Sequence, residues 1–267
     1  MKDFNSIKAT AKETILTESN AIANLVNLID DNFEASVKYI LNSKGRVIVT
    51  GIGKSANIAT KIVATFNSTG TPAIFMHAAD AIHGDLGTIQ NNDVVICISK
   101  SGNTPEIKVL VPLIQNYGNK IIAITGNIDS FLGTNADFTL NTFVEKEACP
   151  NNLAPTTSTT AQLVMGDALA VCLLKLKGFT SNDFAKYHPG GALGKRLYLR
   201  VSDLIKNNEI PKVNKDSTIS NVIVEITEKR LGVAAVVEND RIVGIITDGD
   251  IRRMLSKSTE IHALSAN

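Results

Sequence analysis

Four short, continuous runs of apolar residues, separated by helical stretches, constrain the fold of this chain more than any other feature. The runs are rich in β-branched residues, do not alternate with polar ones, and cover residues 47–49, 73–76, 94–98 and 121–124. A strand without alternation is buried on both faces, which is typical of a parallel sheet covered by helices on each side. With one further strand ahead of Glu145, the pattern predicts a doubly wound α/β domain around a five-stranded parallel sheet.

The two ends of the chain follow other patterns. Apolar residues at helical spacing between residues 7 and 40 predict an N-terminal segment of one or two amphipathic helices. A further helix is expected over residues 157–176, followed by a glycine-rich stretch over 179–200. A compact β-α-β-β-α run is expected from about residue 201, with a helix at 219–229, a strand at 233–237, a turn at Asn239-Asp240, a strand at 242–247 and a final helix at 251–255.

Composition argues against nucleic-acid and membrane partners. The chain of 267 residues carries 27 Lys and Arg against 26 Asp and Glu, which leaves a formal charge of +1 and no basic excess for a run of phosphates. The longest candidate for a membrane span, residues 161–176, contains Asp167 and Lys175 and is shorter than a span requires. These features favour a small molecule as the ligand.

Two features favour a cytoplasmic protein. The first 14 residues contain no apolar core of a secretory signal. Cys97, Cys149 and Cys172 are odd in number and form no CxxC pair, which is typical of reduced thiols rather than of a disulfide framework.

Small hydroxyl residues and glycines follow three of the expected strands. Thr50-Gly51, Ser99–Gly102 and Thr125-Gly126 each come directly after an apolar run. Ligands of open parallel sheets bind beyond the carboxyl ends of the strands, where N–H and hydroxyl groups near helix N-termini hold anions. Such residues also make ordinary turns and caps, but their presence after three strands of one sheet favours a phosphate site.

The segment from Ser99 to Glu106 carries the strongest functional signal. Ser99, Ser101 and Thr104 surround a glycine, and Pro105 suits the first turn of a helix. This arrangement wraps a phosphate monoester in hydroxyl and N–H groups without much positive charge. Glu106, in the first helical turn, is either a carboxylate that complements the helix dipole or a participant in the chemistry.

The turn Gly51–Ala56 resembles two nucleotide-binding motifs without completing either. Ile48 stands where a phosphate-binding GxxxxGK[ST] loop requires its first glycine. The acidic residue that a GxGxxA dinucleotide site needs about 20 positions later has no good candidate. The turn still places the amide groups of Gly53 and Ser55, with Lys54 between them, beside the expected phosphate site.

Glu147, His83 and His188 are further candidates. Glu147 lies on a loop between the last expected strand and a hydroxyl-rich helix start, where it borders the same strand ends. A carboxylate in such a place can act as a base, because desolvation raises its pKa towards working pH. His83 and His188 each lie in a glycine-bearing loop, and such loops carry functional groups more often than packing groups. No spacing of ligands supports a dedicated metal site.

These segments resemble the sugar isomerase (SIS) domain and, within it, the arabinose-5-phosphate isomerase family. SKSGNT alone is compatible with any SIS domain, whereas HGDLG, KEACP, APTTSTT and HPGGALG in this order are much more specific. The resemblance spans most of residues 40–200. The matching stretches are TGIGKS (50–55), FNSTGTPAIFMHAADAIHGDLG (66–87), SKSGNTPEI (99–107), KEACPNNLAPTTSTTAQLVMGDALA (146–170) and FAKYHPGGALGKRL (184–197).

The resemblance implies an enzyme that interconverts D-ribulose 5-phosphate and D-arabinose 5-phosphate through an enediolate, as the first step towards the acidic sugar Kdo of lipopolysaccharide or capsule. The reaction requires neither a cofactor nor a metal. Family members are homotetramers with shared sites, so His188 is expected to act across a subunit interface.

The resemblance also implies which residues act in the site. The implied catalytic residues are Lys54, Glu106, Glu147 and His188. Glu147 is preferred as the proton shuttle, although the sequence does not fix which carboxylate does which task. The implied substrate-binding residues are Gly53, Ser55, His83, Ser99, Ser101 and Thr104.

Residues 203–261 resemble one CBS motif, in which Gly244–Asp250 match a nucleotide-binding GxxTxxD pattern. The resemblance implies that Thr247 and Asp250 contact a nucleotide effector. Family members usually carry two paired motifs, so we expect either that the sequence is a piece of a longer protein or that its motif pairs with that of another chain. The implied division is N-terminal helices over 1–40, a SIS domain over 41–200 and a single CBS domain over 203–267.

Two alternatives remain open from the sequence. One is a non-catalytic sensor of a sugar phosphate, since SIS domains also occur in regulators and a CBS motif suggests regulation. The other is an isomerase of a different sugar phosphate, which the depth of the pocket would decide. The matches at Lys54, Glu147 and His188 favour an enzyme, because binding alone does not require those groups.

Overall fold

The computed structural model describes residues 6–206, 208–256 and 265–266 of the chain. Contacts divide the molecule into two units, one ending at Leu197 and the other beginning at Tyr198. Each unit is built around a sheet and an apolar core of its own.

The first unit contains a five-stranded parallel sheet, as the apolar runs predict. Its strands are β1 Val47–Gly51, β2 Ala73–His77, β3 Val94–Ile98, β4 Ile121–Thr125 and β5 Phe138–Asn141. They are ordered β2-β1-β3-β4-β5, and every neighbouring pair is parallel. Every residue of β1, β3 and β4 is buried, which explains why these runs are apolar without alternation.

Helices cover both faces of this sheet. They are α1 Ile7–Asn24, α2 Asp31–Asn42, α3 Lys54–Ser68, α4 Ala78–Ala81, α5 Pro105–Asn116, α6 Phe131–Asn135 and α7 Thr157–Leu176. The core on one face includes Phe66 of α3, Ile96 of β3 and Leu169 of α7. The core on the other face includes Val95 and Leu132. Val95 and Ile96 belong to opposite cores because successive side chains of a strand point to opposite faces.

The helix α7 is longer than the membrane-span candidate taken from the sequence. It has 20 residues and is long and apolar enough to cross a membrane, so the expectation that residues 161–176 fall short of a span is wrong. Leu169 and Leu173 are nevertheless fully buried in the core against the sheet. Gly166 lets α3 approach, since a Cβ there would lie 2.3 Å from Cδ1 of Ile62. Packing within the core therefore explains why this helix is apolar.

The glycine-rich stretch before residue 200 forms two short helices, α8 Ser181–Tyr187 and α9 Ala192–Tyr198. A capping box begins α8, in which Thr180 Oγ1 accepts from the N–H of Asp183 at 3.2 Å and Asp183 Oδ2 accepts from the N–H of Thr180 at 3.0 Å. The predicted glycine-bearing loop is therefore confined to residues 188–191, between the two helices.

The second unit is a small module around a three-stranded sheet. Its elements are α10 Val201–Ile205, β6 Lys212–Asn214, α11 Ile219–Lys229, β7 Val233–Glu238, β8 Arg241–Thr247 and α12 Asp248–Leu255. β6 and β7 are parallel, and β7 and β8 are antiparallel. Asn239 and Asp240, with φ of 51° and 58°, form the predicted turn, because a tight hairpin turn of this hand requires positive φ at both central residues. The last helix begins at Asp248, three residues before its predicted start.

We expect Leu169→Ala to lower the free energy of unfolding of the first unit by about 2–5 kcal/mol, because it leaves a cavity between α7 and the sheet. The control is Leu176→Ala on the same helix, where the residue is 58% exposed. We expect this change to alter the free energy of unfolding by less than about 0.5 kcal/mol. Urea unfolding followed by circular dichroism measures both variants, and equal losses would contradict the placement of α7.

Candidate active site

A cleft of about 260 Å³ opens at the carboxyl ends of β1 and β3, where α3, α5 and α7 begin. The order of the strands reverses direction between β1 and β3, which is where open parallel sheets bind their ligands. The walls carry the side chains of two lysines, Lys54 and Lys100. They also carry six hydroxyl side chains, those of Ser55, Ser99, Ser101, Thr104, Ser158 and Thr159.

The loop of residues 99–104, between β3 and α5, is held against the start of α6. Gly102 has a φ of +63°, and a Cβ at this position would lie 1.9 Å from Oγ of Ser130. The carbonyl of Gly102 accepts from the N–H of Leu132 at 3.0 Å. The N–H of Gly102 donates to Oγ of Ser99 at 3.1 Å. These contacts fix the backbone of the loop that supplies three of the cleft's hydroxyl groups.

Thr104, the last residue before α5, has an unused hydroxyl group. Its Oγ1 is buried and makes no hydrogen bond to any residue that the structure describes. Thr104 occupies the N-cap position, yet its side chain does not cap the helix. A buried polar group without a partner costs free energy. An oxygen of a ligand in the cleft would supply the missing partner, which favours an oxygen-rich ligand such as a phosphate.

The turn after β1 forms another wall of the cleft. Gly53 has a φ of +58°, and α3 begins at Lys54, whose side chain is exposed at the cleft. Ser55 donates its hydroxyl to Oε1 of Gln162 at 3.2 Å. Gln162 lies on α7, is almost completely buried and also lines the cleft. The structure therefore brings Lys54 and Ser55 together with the three residues predicted to bind phosphate.

Glu147 is buried next to this cleft and accepts hydrogen bonds from five donors. Its Oε1 accepts from Nζ of Lys100 at 2.6 Å and from Oγ of Ser158 at 2.5 Å. Its Oε2 accepts from the N–H groups of Thr156 and Ser158 at 2.9 and 3.1 Å, and from the hydroxyl of Thr156 at 3.2 Å. Lys100 and Ser158 both line the cleft, so Glu147 contacts two residues of its wall.

The pKa of Glu147 moves in the direction opposite to the one expected. Burial alone would raise this pKa, but the ammonium of Lys100, the hydroxyl of Ser158 and the N–H groups at the start of α7 favour the charged form. Together they lower the pKa from 4.5 to about 2. The expectation that desolvation raises the pKa of Glu147 towards working pH is therefore wrong, because the hydrogen-bond donors together outweigh the effect of burial.

Four predicted site residues do not line this cleft in the part of the chain that the structure describes, namely Gly53, His83, Glu106 and His188. Glu106 lies in the first turn of α5, two residues after Thr104, and is half-buried. No hydrogen bond or ion pair joins its side chain to a described residue. His83 is exposed in the loop after α4.

His188 follows α8, and its ring lies against that of Phe184, with the ring centroids 3.9 Å apart. Its Nδ1 is 2.9 Å from the carbonyl oxygen of Phe184. Because a carbonyl oxygen only accepts, Nδ1 is the donor in this contact. Nε2 makes no hydrogen bond to a described residue, and the contact at Nδ1 fixes the orientation of the ring.

In the second unit, Thr247 and Asp250 meet at the start of α12. Oγ1 of Thr247 accepts from the N–H of Asp250 at 3.3 Å. Oδ2 of Asp250 accepts from the N–H and the hydroxyl of Thr247, at 2.9 and 2.7 Å. This capping box occupies both predicted nucleotide-binding side chains and stabilises the helix. The contact accounts for their spacing in the sequence without a ligand.

A larger groove, of about 630 Å³, lies between α1 and residues 143–146. None of the site residues predicted from the sequence lines it. α1 lies wholly within the described residues and buries none of its own, and Ile15 and Leu16 are 68% and 61% exposed. The groove therefore marks an unpartnered helix face rather than a second catalytic cleft.

Lys100 and Gln162 are among the cleft residues that the sequence pattern does not identify. Lys100 stands between Ser99 and Ser101, so the sequence places it beside the expected phosphate site. Its partner Glu147 lies 47 positions further along the chain, and the local pattern does not predict this contact. Gln162 is a polar residue on the buried side of an apolar helix. A glutamine among apolar residues of a helix is the signal in the sequence that could have identified Gln162, because buried polar side chains need a specific partner.

Comparison with known proteins identifies the same segments. The SIS domain profile matches residues 40–172, and the CBS domain profile matches residues 201–257. The arabinose 5-phosphate isomerase KdsD of Francisella tularensis is 52% identical over 248 residues, which are 91% of this chain and 76% of the relative. The protein of the same name from Escherichia coli K12 is 46% identical over 256 residues, which are 95% of this chain and 78% of the relative.

Solved structures share the predicted fold. The c3406 protein of Escherichia coli CFT073 in complex with arabinose 5-phosphate has a TM-score of 0.68 at 39% identity, over 70% of this chain and 100% of that one. The Vibrio vulnificus NanR protein complexed with ManNAc-6P has a TM-score of 0.55 at 15% identity, over 75% of this chain and 70% of that one. The second likeness shows the fold alone. The prediction of an α/β fold with a parallel sheet and a following small module is confirmed.

We expect Glu147→Gln to lower the free energy of unfolding at neutral pH by about 2–3 kcal/mol, because the amide cannot accept from all five donors. The folded pKa lies below the ordinary value, so this stabilisation is present above about pH 4.5 and is lost as the pH falls towards about 2. Unfolding free energies measured between pH 7 and pH 2.5 should therefore converge for the two proteins. Glu145→Gln, an exposed neighbour, is the control. A difference that does not depend on pH would contradict the lowered pKa.

Proposed function

The chain belongs to the arabinose 5-phosphate isomerase family, and from this premise we propose that it interconverts D-ribulose 5-phosphate and D-arabinose 5-phosphate. Similarity to a family member over 91% of the chain supports the proposal. The structural observation that carries it is the hydroxyl-lined cleft at the strand ends, with the unused hydroxyl of Thr104 and the ammonium of Lys54 in its walls. The product would feed the synthesis of Kdo for lipopolysaccharide or capsule.

We assign the phosphate group of the substrate to the loop of residues 99–104. Ser99, Ser101 and Thr104 line the cleft, and the N–H groups at the start of α5 follow directly. Interactions with this non-reacting end of the substrate position the sugar for reaction. The amide of Ser55 would then contact the sugar from the opposite wall, and the amide of Gly53, just before α3, would contact it beside that wall.

We assign Lys54 to the negative charge that develops on the enediolate. Its ammonium lines the same cleft, at the first position of α3, where the helix N-terminus adds positive potential. A single donor of this kind contributes about 3 kcal/mol to the stability of a transition state when water is excluded.

Proton transfer between C1 and C2 requires a base with an available lone pair, and the two candidate carboxylates differ in this respect. Both oxygens of Glu147 accept from other groups, and its pKa of about 2 makes it a weak base. The side chain of Glu106 has no such partners among the described residues. We therefore assign the proton transfer to Glu106, which lies in the first turn of α5, two residues after Thr104 of the cleft wall, although it does not line the cleft itself. Glu147 takes a positioning role, which reverses the preference drawn from the sequence.

We assign proton exchange with the sugar oxygens to His188 and His83. The contact of His188 with Phe184 leaves Nε2 free, which supports this role. We propose that the protein is a cytoplasmic homotetramer in which His188 reaches the cleft of a neighbouring subunit. The exposed apolar side chains of Ile15 and Leu16 on α1 support assembly.

The second unit completes the proposal as a regulatory module. We propose that the chain divides into helices over 1–40, a SIS domain over 41–200 and a CBS domain over 203–267. A nucleotide effector would bind the CBS domain at the start of α12, where Thr247 and Asp250 form their capping box. The outer side of β8 supports pairing with another CBS motif, because Ile242 and Ile245 are 73% and 67% exposed.

Incubation of the purified protein with D-ribulose 5-phosphate, followed by chromatographic identification of the sugars, tests the proposed function. We expect D-arabinose 5-phosphate to accumulate until the two sugars reach equilibrium, and the same equilibrium to form from the aldose. Heat-denatured protein is the control. A protein that binds D-ribulose 5-phosphate without changing it would be a sensor, and a different aldose would indicate another isomerase. Either result would contradict the proposal.

We expect Glu106→Gln to lower kcat at least about 100-fold with little change in KM, because it removes the base without disturbing the phosphate site. Steady-state kinetics measures the effect. Glu145→Gln, which is exposed in the same unit, is the matched control and should keep wild-type kinetics. A folded Glu147→Gln protein with the larger loss of kcat would reverse the assignment of the two carboxylates.

A further inference from the structure

Lys100 forms an ion pair in which the two partners are unequally buried. Its Nζ is 2.6 Å from Oε1 of Glu147. The side chain of Glu147 is 0% exposed, whereas that of Lys100 is 47% exposed. The ammonium can therefore leave the pair and remain solvated, but the carboxylate cannot.

Glu147 does not depend on Lys100 for all of its hydrogen bonds. Thr156 donates twice and Ser158 donates twice to its two oxygens. These donors lie at the start of α7, where the N–H groups of a helix favour an anion. The buried carboxylate therefore keeps four donors when the ammonium turns away.

The ammonium of Lys100 has unused capacity for hydrogen bonds. It carries three N–H groups, and among the described residues Glu147 is its one acceptor. Its backbone is fixed, because the carbonyl of Lys100 accepts from the N–H of Gly126 at 3.1 Å and from Oγ1 of Thr125 at 3.4 Å. Movement is therefore confined to the side chain, which also lines the cleft.

The charge of a phosphate group favours a second role for this side chain. A phosphate monoester carries about −1.5 to −2 at neutral pH, and the cleft walls contain two cations, Lys54 and Lys100. The charge of Lys100 is directed at Glu147. A strong anion between Ser99 and Ser101, the two neighbours of Lys100, would compete with Glu147 for the ammonium.

We propose that Lys100 is a further binding residue of the phosphate site, whose ammonium is shared between Glu147 and the phosphate group of the substrate. This rests on the proposed function, since it takes a sugar phosphate as the ligand of the cleft. Occupation of the phosphate site is thereby coupled to Glu147. When the ammonium turns to the phosphate, its interaction with the carboxylate of Glu147 weakens. By the same factor, the carboxylate weakens the binding of phosphate.

Calorimetric titration with inorganic phosphate tests this role without any need for catalysis. We expect Lys100→Met to bind phosphate about tenfold more weakly than the wild type, because it loses one charge-assisted hydrogen bond. Lys100→Arg keeps the charge and should stay within about threefold of the wild type. Lys61→Met is the matched control, since Lys61 pairs with Asp167 outside the cleft, and its affinity for phosphate should not change.

The reciprocal measurement uses Glu147→Gln. Loss of the carboxylate charge leaves the ammonium free for phosphate, so binding should tighten about threefold, and this gain should vanish in the double variant with Lys100→Met. Circular dichroism and thermal unfolding establish that each variant is folded. If Glu147→Gln does not fold, the comparison of Lys100→Met with Lys100→Arg and Lys61→Met decides the matter.

Equal phosphate affinity in the wild type and Lys100→Met would overturn the inference and leave Lys100 as the partner of a structural ion pair. The isomerase assay gives an independent answer. A wild type that binds phosphate through Lys100 but interconverts no pentose phosphate would support the inference and remove the proposed function. A wild type without affinity for phosphate would contradict the inference whatever its activity.

Discussion

The buried carboxylate of Glu147 joins the two segments on which the candidate site depends. Lys100 donates to it from the loop after β3, and Thr156 and Ser158 donate to it from the start of α7. The negative charge neutralises an ammonium and the positive end of a helix, which lets the loop and the helix approach each other closely. The unfavourable burial of one charge is offset by five hydrogen bonds, and the two walls of the cleft are held in place as a result.

The parallel sheet brings the remaining groups to the same place. All five strands run in one direction, so the segments that follow β1 and β3 meet at one edge of the sheet, and the helices after them begin there. Lys54 meets Ser101 and Thr104 for this reason, although it is distant from them in sequence. Hydroxyl groups and helix N-termini supply most of the donors, so a chain with a formal charge of only +1 can hold a strongly charged anion.

The positions of Ser101 and Thr104 could be predicted because continuous apolar runs identify the strands, and the direction of parallel strands then fixes where their ends meet. The pKa of Glu147 could not be predicted, since its direction depends on donors such as Lys100 that only the folded chain brings to the carboxylate. His188 illustrates the same limit. The glycines around it predict a loop, but local sequence does not determine which cleft a loop faces.

The loop after β3 depends on different residues for its backbone conformation and for its charge. Gly102 cannot gain a side chain without displacing Ser130, and the backbone of Lys100 is held through its carbonyl group. The side chain of Lys100 joins the loop to Glu147 and supplies a positive charge to the cleft. Exchange of one cation for another at position 100 therefore preserves both contributions, and natural selection could adjust through this one codon how tightly the site retains an anion.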